Sequence, residues 1–163
     1  MKKILTVLLS VMLLTIAFGC GKAEKLQEYT QGDFTIMLPA GVEVSEEDGF
    51  EAFFATEDYA VTVVKDDFDI FEQLDIDPTT YSEEDYGKLI LELYDVDGAF
   101  TFDKNNHLYY SYENSVDGET YFYYVTVRKG TDAFWLITFL TEADKQKTLV
   151  KSFEIWNNTI SVK

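Results

Sequence analysis

The sequence predicts an α+β fold built on an antiparallel β-sheet covered by helices on both faces. Three observations lead there. Long strand-like runs at 107–114 (HLYYSYEN), 119–129 (ETYFYYVTVRK) and 133–141 (AFWLITFLT) follow one another, with turn chemistry at Asp117-Gly118 and Lys129-Gly130 between them. That is the pattern of an antiparallel meander. Two of the runs are apolar on both sides: Tyr121, Tyr123, Val125 and Val127 alternate with Phe122, Tyr124, Thr126 and Arg128, and Trp135, Ile137 and Phe139 stand opposite Phe134, Leu136 and Leu140. A sheet with one wet face alternates apolar with polar, so cover on both sides is expected. Two amphipathic stretches, starting near Ser82 and Thr141, supply the covers.

The remaining elements follow from period and punctuation. FTIMLP from Phe34 alternates into Pro39 and Gly41, a strand closed by a turn. Strands are expected near 42–45, 50–56 and 59–65, separated by acidic turns, and DDFDIFEQLDID reads as a short helix or irregular segment ending before Pro78. Ser82 with Asp85 three residues on makes a capping-box-like start, and Glu83 and Glu84 suit the positive end of a helix dipole. Tyr86, Leu89, Ile90, Leu93 and Tyr94 then form one apolar stripe, ended by Asp97-Gly98. A short strand is expected near 99–103. Thr141 with Asp144 repeats the capping pattern and opens a helix whose stripe includes Ala143, Leu149, Val150 and Phe153.

The N-terminus carries a different signal. Lys2 and Lys3 precede an uncharged, mostly apolar run from Ile4 to Phe18, which ends in small residues around Phe18 and then Cys20. A positive start, a short apolar run and small residues are the parts of a secretory signal peptide. The run is shorter than the about 20 apolar residues that a membrane-spanning helix needs. With a cysteine directly after it, TIAFGCGK resembles the lipobox of bacterial lipoproteins, with Phe18 where a small or polar residue is more usual. The resemblance implies cleavage before Cys20, diacylglycerol modification of its thiol, and a domain tethered to the extracytoplasmic face of a bacterial cell membrane. The expected division is a signal peptide over 1–19, the lipidated Cys20 with a short tether over 20–28, and a single domain over 29–163. Lipidation of the chain's one cysteine leaves no thiol for catalysis, disulfides or metal ligation.

Composition narrows the partners. The net charge is −17, and removing residues 1–19 takes Lys2 and Lys3 away, leaving 11 basic residues against 30 acidic ones. Nucleic acid, which needs basic stripes, is excluded. The 16% of aromatic residues belongs to a folded domain rather than a disordered acidic tail. The expected partners are the membrane, through the lipid anchor, and a protein of the cell envelope; a monomer is expected.

Three segments, YTQGDFTIMLPAGVEV, YFYYVTVRKGTDAFWLITFLT and EADKQKTLVKSFEI, together resemble the PsbP-like (Ran-binding-factor-like) α/β/α sandwich over roughly residues 29–156. The resemblance implies binding and assembly roles and no shared catalytic constellation.

The inventory of reactive side chains points the same way. His107 is the only histidine and opens a strand, too little for a nucleophile–base–acid triad or a zinc site. No dinucleotide or P-loop fingerprint is present. Among 30 acids a carboxylate pair for glycoside-type hydrolysis remains an alternative, as does a calcium-dependent binding module. DVDGAF (Asp95, Asp97, Gly98) is a partial EF-hand loop that reads more simply as a helix-ending turn, and KDDFD (Asp66, Asp67, Asp69) as a solvated loop. No metal and no cofactor are expected. Tyrosine is the remaining clue, because its ring packs while its hydroxyl stays wet. Tyr110, Tyr112, Tyr121 and Tyr123 are the candidates for a ligand or partner surface on an incompletely covered sheet face. The function expected is non-catalytic binding or accessory work.

Overall fold

The computed structural model describes residues 25–163. The signal-peptide stretch, Cys20 and most of the tether lie outside the described residues. A hairpin comes first: β1 (Leu26–Gln31) and β2 (Phe34–Pro39) reverse at Gly32, whose φ of +54° suits glycine. Then follow β3 (Glu43–Ser45), β4 (Ala52–Ala55), β5 (Tyr59–Asp67), α1 (Phe68–Gln73), α2 (Glu83–Leu93), β6 (Thr101–Phe102), β7 (Leu108–Val116), β8 (Glu119–Lys129) and β9 (Ala133–Glu142). A 3₁₀ turn (Ala143–Lys145), α3 (Gln146–Asn157) and β10 (Ser161–Val162) close the chain.

The fold is α+β with antiparallel pairing throughout, arranged as two sheets rather than one. The larger runs β3-β4-β5-β9-β8-β7-β6 and the smaller β1-β2-β10. The meander expected at 107–141 is β7–β8–β9. Its first turn has both Asp117 (φ +54°) and Gly118 (φ +90°) in the left-handed region, the hairpin geometry that matches strand twist. β9 lies at the centre of the large sheet, paired on both sides, and Ala133 to Ile137 are all buried.

Alternate residues of these strands feed two cores. On the first face, Phe54, Val61, Tyr124, Trp135, Ile137 and Phe139 meet Phe34, Ile36 and Leu38 of the small sheet and Phe153 and Trp156 of α3. Phe34 packs at 6.2 Å from Trp135, and Phe153 at 5.3 Å from Phe139, between ring centroids. On the second face, Phe71 of α1 and Tyr86 and Ile90 of α2 pack on Val125, Val127, Phe134 and Leu136. Tyr86 stacks on Phe134 at 4.8 Å. Helices were expected on both faces; on the first face the small sheet shares the cover with α3. Its strands come from opposite ends of the chain, Ser161 pairing with Thr35.

Local expectations met different outcomes. The capping box of α2 is complete, with Asp85 N–H donating to Ser82 Oγ (3.1 Å) and Ser82 N–H to Asp85 Oδ2 (3.0 Å). Thr141 caps nothing. It stays in the β9 ladder opposite Tyr59, and its hydroxyl donates to the Asp58 carbonyl at 2.8 Å, so the helix proper starts only at Gln146. The stripe of α2 is also narrower than its period implies: Tyr86, Gly87, Ile90 and Leu91 are buried, whereas Leu93 and Tyr94 are 69% and 66% exposed. Leu26, Gln27 and Glu28, read as the end of the tether, belong to β1.

Candidate functional site

Helix cover on the second face is concentrated at one end. Around Phe134, α1, α2 and the 77–81 segment are drawn together. Lys129 Nζ donates to the carbonyls of Pro78 and Tyr81 (2.6 Å each) and lies 5.4 Å from the Phe134 ring centroid. Glu83 Oε1 accepts from Lys129 N–H at 2.8 Å, tying the first turn of α2 to the end of β8. Beyond Ile90 the helix runs out while the sheet continues. A cavity of about 290 Å³ opens there, between the sheet, the last turn of α2 and the segment leading to β6.

Its floor is the second face of four strands: Thr62 and Val64 of β5, Thr138 and Leu140 of β9, Tyr123 and Val125 of β8, and Tyr110 and Tyr112 of β7. Its roof is Ile90, Leu91, Tyr94, Val96 and Phe100, with Phe50 at one side. Gly87 lets the Phe100 ring approach the helix, since a Cβ there would lie 2.9 Å from Phe100 Cδ2. The three floor tyrosines form a ladder. Tyr112 stacks on Tyr123 at 4.7 Å and 5° between planes, and Tyr110 on Tyr112 at 5.6 Å and 25°. The Tyr110 hydroxyl donates to the Asp97 carbonyl, holding the turn after α2 against β7. Burial, with the neighbouring Tyr123 next in weight, pushes the Tyr112 phenol above its ordinary pKa, so it stays a neutral donor.

Among the described residues no carboxylate, imidazole, amine or thiol side chain lines this cavity; its polar side chains are those of threonine and tyrosine. It can hold an apolar or aromatic group and offer hydrogen bonds at its edge.

Of the four tyrosines expected to share a surface, the structure brings Tyr110, Tyr112 and Tyr123 together and leaves Tyr121 outside the cavity wall. Tyr121 is nearer the hairpin tip, its hydroxyl donating to Glu119 Oε2 at 2.7 Å. Tyr109 and Tyr124, from the same tyrosine-rich runs, point to the first face and stack on each other at 5.0 Å. Cys20 lies outside the described residues.

The other candidates resolve into turns and packing. Asp103 Oδ1 accepts from the N–H groups of Asn105 and His107 (2.8 Å each), reversing the chain between β6 and β7, and His107 Nδ1 faces Asp103 Oδ2 at 3.6 Å. Asp66 accepts from the Tyr86 hydroxyl (2.7 Å), Asp67 pairs with Lys65 (3.5 Å), and Asp69 lies in the first turn of α1. Asp95, at φ +52°, is part of the turn that ends α2. Among the described residues no group of three or more His, Cys, Asp or Glu side chains is placed to hold a metal ion.

Sequence reasoning missed a buried polar network on the first face. Arg128 Nη2 donates to Asn157 Oδ1 (2.7 Å), Nη1 to Thr126 Oγ1 (2.7 Å), and Asn157 Nδ2 to the Tyr124 hydroxyl (3.3 Å). Burial lowers the Arg128 pKa without removing its charge at neutral pH. An arginine continuing the face of Phe122, Tyr124 and Thr126 was the available signal.

No family model matches the chain, and no curated protein matches it. Among solved structures it is similar to cyanobacterial PsbP (CyanoP) from Synechocystis sp. PCC 6803, determined in solution. The identity is 12% and the TM-score 0.47, over 90% of this chain and 98% of that one. A likeness at that level says nothing about a ligand.

Proposed function

We propose that this chain is a lipid-anchored, extracytoplasmic, non-catalytic binding domain whose ligand site is the tyrosine-floored cavity on the second sheet face. The observation that carries the reading is the cavity itself: about 290 Å³, walled by apolar and aromatic side chains and, among the described residues, lined by no ionisable side chain other than tyrosine. Binding pockets are mostly apolar with a few directed polar groups, and this one, at the small end of their size range, suits an aromatic ring or a short branched side chain. A PsbP-like affiliation is part of the proposal. Its support is that the three sequence segments carrying the resemblance fall in order on β1–β2, β8–β9 and α3. The anchor rests on TIAFGCGK and the apolar run before it.

The test is a titration of the isotope-labelled full chain with indole and p-cresol, followed by nuclear magnetic resonance. Shifts confined to Tyr110, Tyr112, Tyr123 and their cavity neighbours, abolished by the cavity-filling Thr138→Trp, are the expected result. Absence of shifts there, or unchanged binding by Thr138→Trp, overturns the site. A second arm compares Cys20→Ser with the parent chain in membrane fractions. The variant is expected in the soluble fraction, and its retention at the membrane overturns the anchor.

A further inference from the structure

β7 is the last long strand of the large sheet. β6 pairs with it only at Leu108 and Tyr109, so from Tyr110 to Val116 its outer edge meets no strand among the described residues. Its inner edge pairs with β8 continuously from Tyr109 to Val116, with no break in register. Alternate residues of such a strand turn their N–H and C=O groups outward.

Elsewhere the margin of this sheet is blunted in the usual ways, by shortness and by charge. The opposite edge strand, β3, has three residues. Where β5 runs on past β4, it carries Lys65, Asp66 and Asp67. The free part of β7 has neither device. Its sequence from Ser111 to Val116, SYENSV, contains no proline or lysine and a single charge, and every residue but Tyr112 is exposed. This open edge also borders the cavity, because Tyr110 and Tyr112 belong to both. A strand added beside β7 would place every second side chain on the cavity side.

Charge selects among occupants. The chain carries −17 overall, and Glu113, Asp117 and Glu119 lie on this hairpin. A second copy brings the same charge and is repelled, whereas a basic segment is drawn in.

We propose that the free edge of β7 takes up an extended, basic segment of a partner protein as an added strand, with one apolar or aromatic side chain of that segment entering the cavity. The inference rests on the cavity being the binding site. It adds the class of partner and the mode of recognition, in which main-chain hydrogen bonds supply affinity and a pocket supplies specificity.

The experiment uses the isotope-labelled full chain in a neutral detergent and three synthetic nonapeptides. In the first, lysine alternates with valine around a central phenylalanine. The second has the same sequence with alternate backbone nitrogens methylated, and the third has glutamate in place of lysine. The first peptide is expected to shift and protect from exchange the amides of 110–116, and to displace indole. The methylated peptide, equal in charge, is expected to bind roughly tenfold or more weakly, the equivalent of about one to three net hydrogen bonds. The glutamate peptide is expected not to bind. Equal binding by the methylated peptide overturns strand addition, and equal binding by the glutamate peptide overturns the charge selection. If no peptide binds while indole still shifts Tyr112 and Tyr123, the edge proposal falls and the cavity reading stands. If indole also fails, both fall. A dimer in sedimentation, with the 110–116 amides protected in the absence of peptide, overturns the proposal in favour of self-pairing.

Discussion

β8 and β9 give alternate side chains to two faces that differ in what lies over them. On the first face the small sheet and α3 close over β9 and most of β8, so Phe139 and Trp135 of the sheet and Phe153 of α3 have no exposure. On the second face α1 and α2 close only the end around Phe134, and the strands beyond carry Tyr112, Tyr123, Thr138 and Leu140, all half-buried. Polar groups are handled differently as well. The first face joins Arg128, Thr126 and Asn157 in one network, while on the second the Tyr86 and Tyr110 hydroxyls bond singly to Asp66 and to the Asp97 carbonyl and Tyr112 and Tyr123 line the cavity. Adjacent residues of one strand therefore go to a closed core and to the wall of a cavity.

Adjacent substitutions in β9 break or sharpen that contrast most directly. Phe139→Ala, on the closed face, is expected to cost about 3–5 kcal/mol in urea unfolding. Leu140→Ala, one residue on and on the open face, is expected to cost about 1 kcal/mol, because its side chain is already half in water. Equal costs would show that the open face carries as much of the fold as the closed one. Next in size is Asn157→Ala, which removes acceptors and donors from Arg128 and Tyr124 within the closed face. A loss of about 2 kcal/mol is expected, and a change within about 0.5 kcal/mol would show that water replaces the amide. The smallest effect concerns the start of α2, the helix that half-covers the open face. Ser82→Ala is expected to cost about 1 kcal/mol at neutral pH. Hydrogen bonds from the Ser82 hydroxyl, and then from its backbone, hold the Asp85 carboxyl below its ordinary value of 3.8. A depressed folded pKa contributes stability that is present above that ordinary value and lost as pH falls through the folded one. The gap between parent and Ser82→Ala should therefore narrow on acidification below pH 3.8, and a gap that widens there would contradict the assignment.

What was legible in the sequence was local or periodic. Ser82 and Asp85 announce the cap because both partners lie within one turn of helix. The β7–β8 turn is readable because Asp117 and Gly118 tolerate positive φ. The tyrosine ladder was half legible: a period of two places Tyr110 and Tyr112 on one side and Tyr109 on the other, and likewise separates Tyr123 from Tyr124. That parity alone does not show where the cover stops, so Tyr121 looked equivalent to Tyr123. The features that escaped depend on distant partners. The small sheet needs residues 35 and 161 to meet. Thr141 lost its capping role to a carbonyl 83 positions earlier in the chain. Leu93 and Tyr94 fit the helical stripe by spacing, yet among the described residues no segment rises to cover them.

Both tryptophans, Trp135 and Trp156, are buried in the closed face, and neither lines the cavity. The molecule thus keeps its indoles away from the cavity, while three of its eleven phenols, Tyr110, Tyr112 and Tyr123, line it. Indole emission, excited selectively, reads the integrity of the sealed layer, and the phenol signal contains the contribution of the cavity tyrosines. An occupant of the cavity should perturb the phenol signal while leaving tryptophan emission unmoved, so that loading and unfolding can be followed by light in one unlabelled sample.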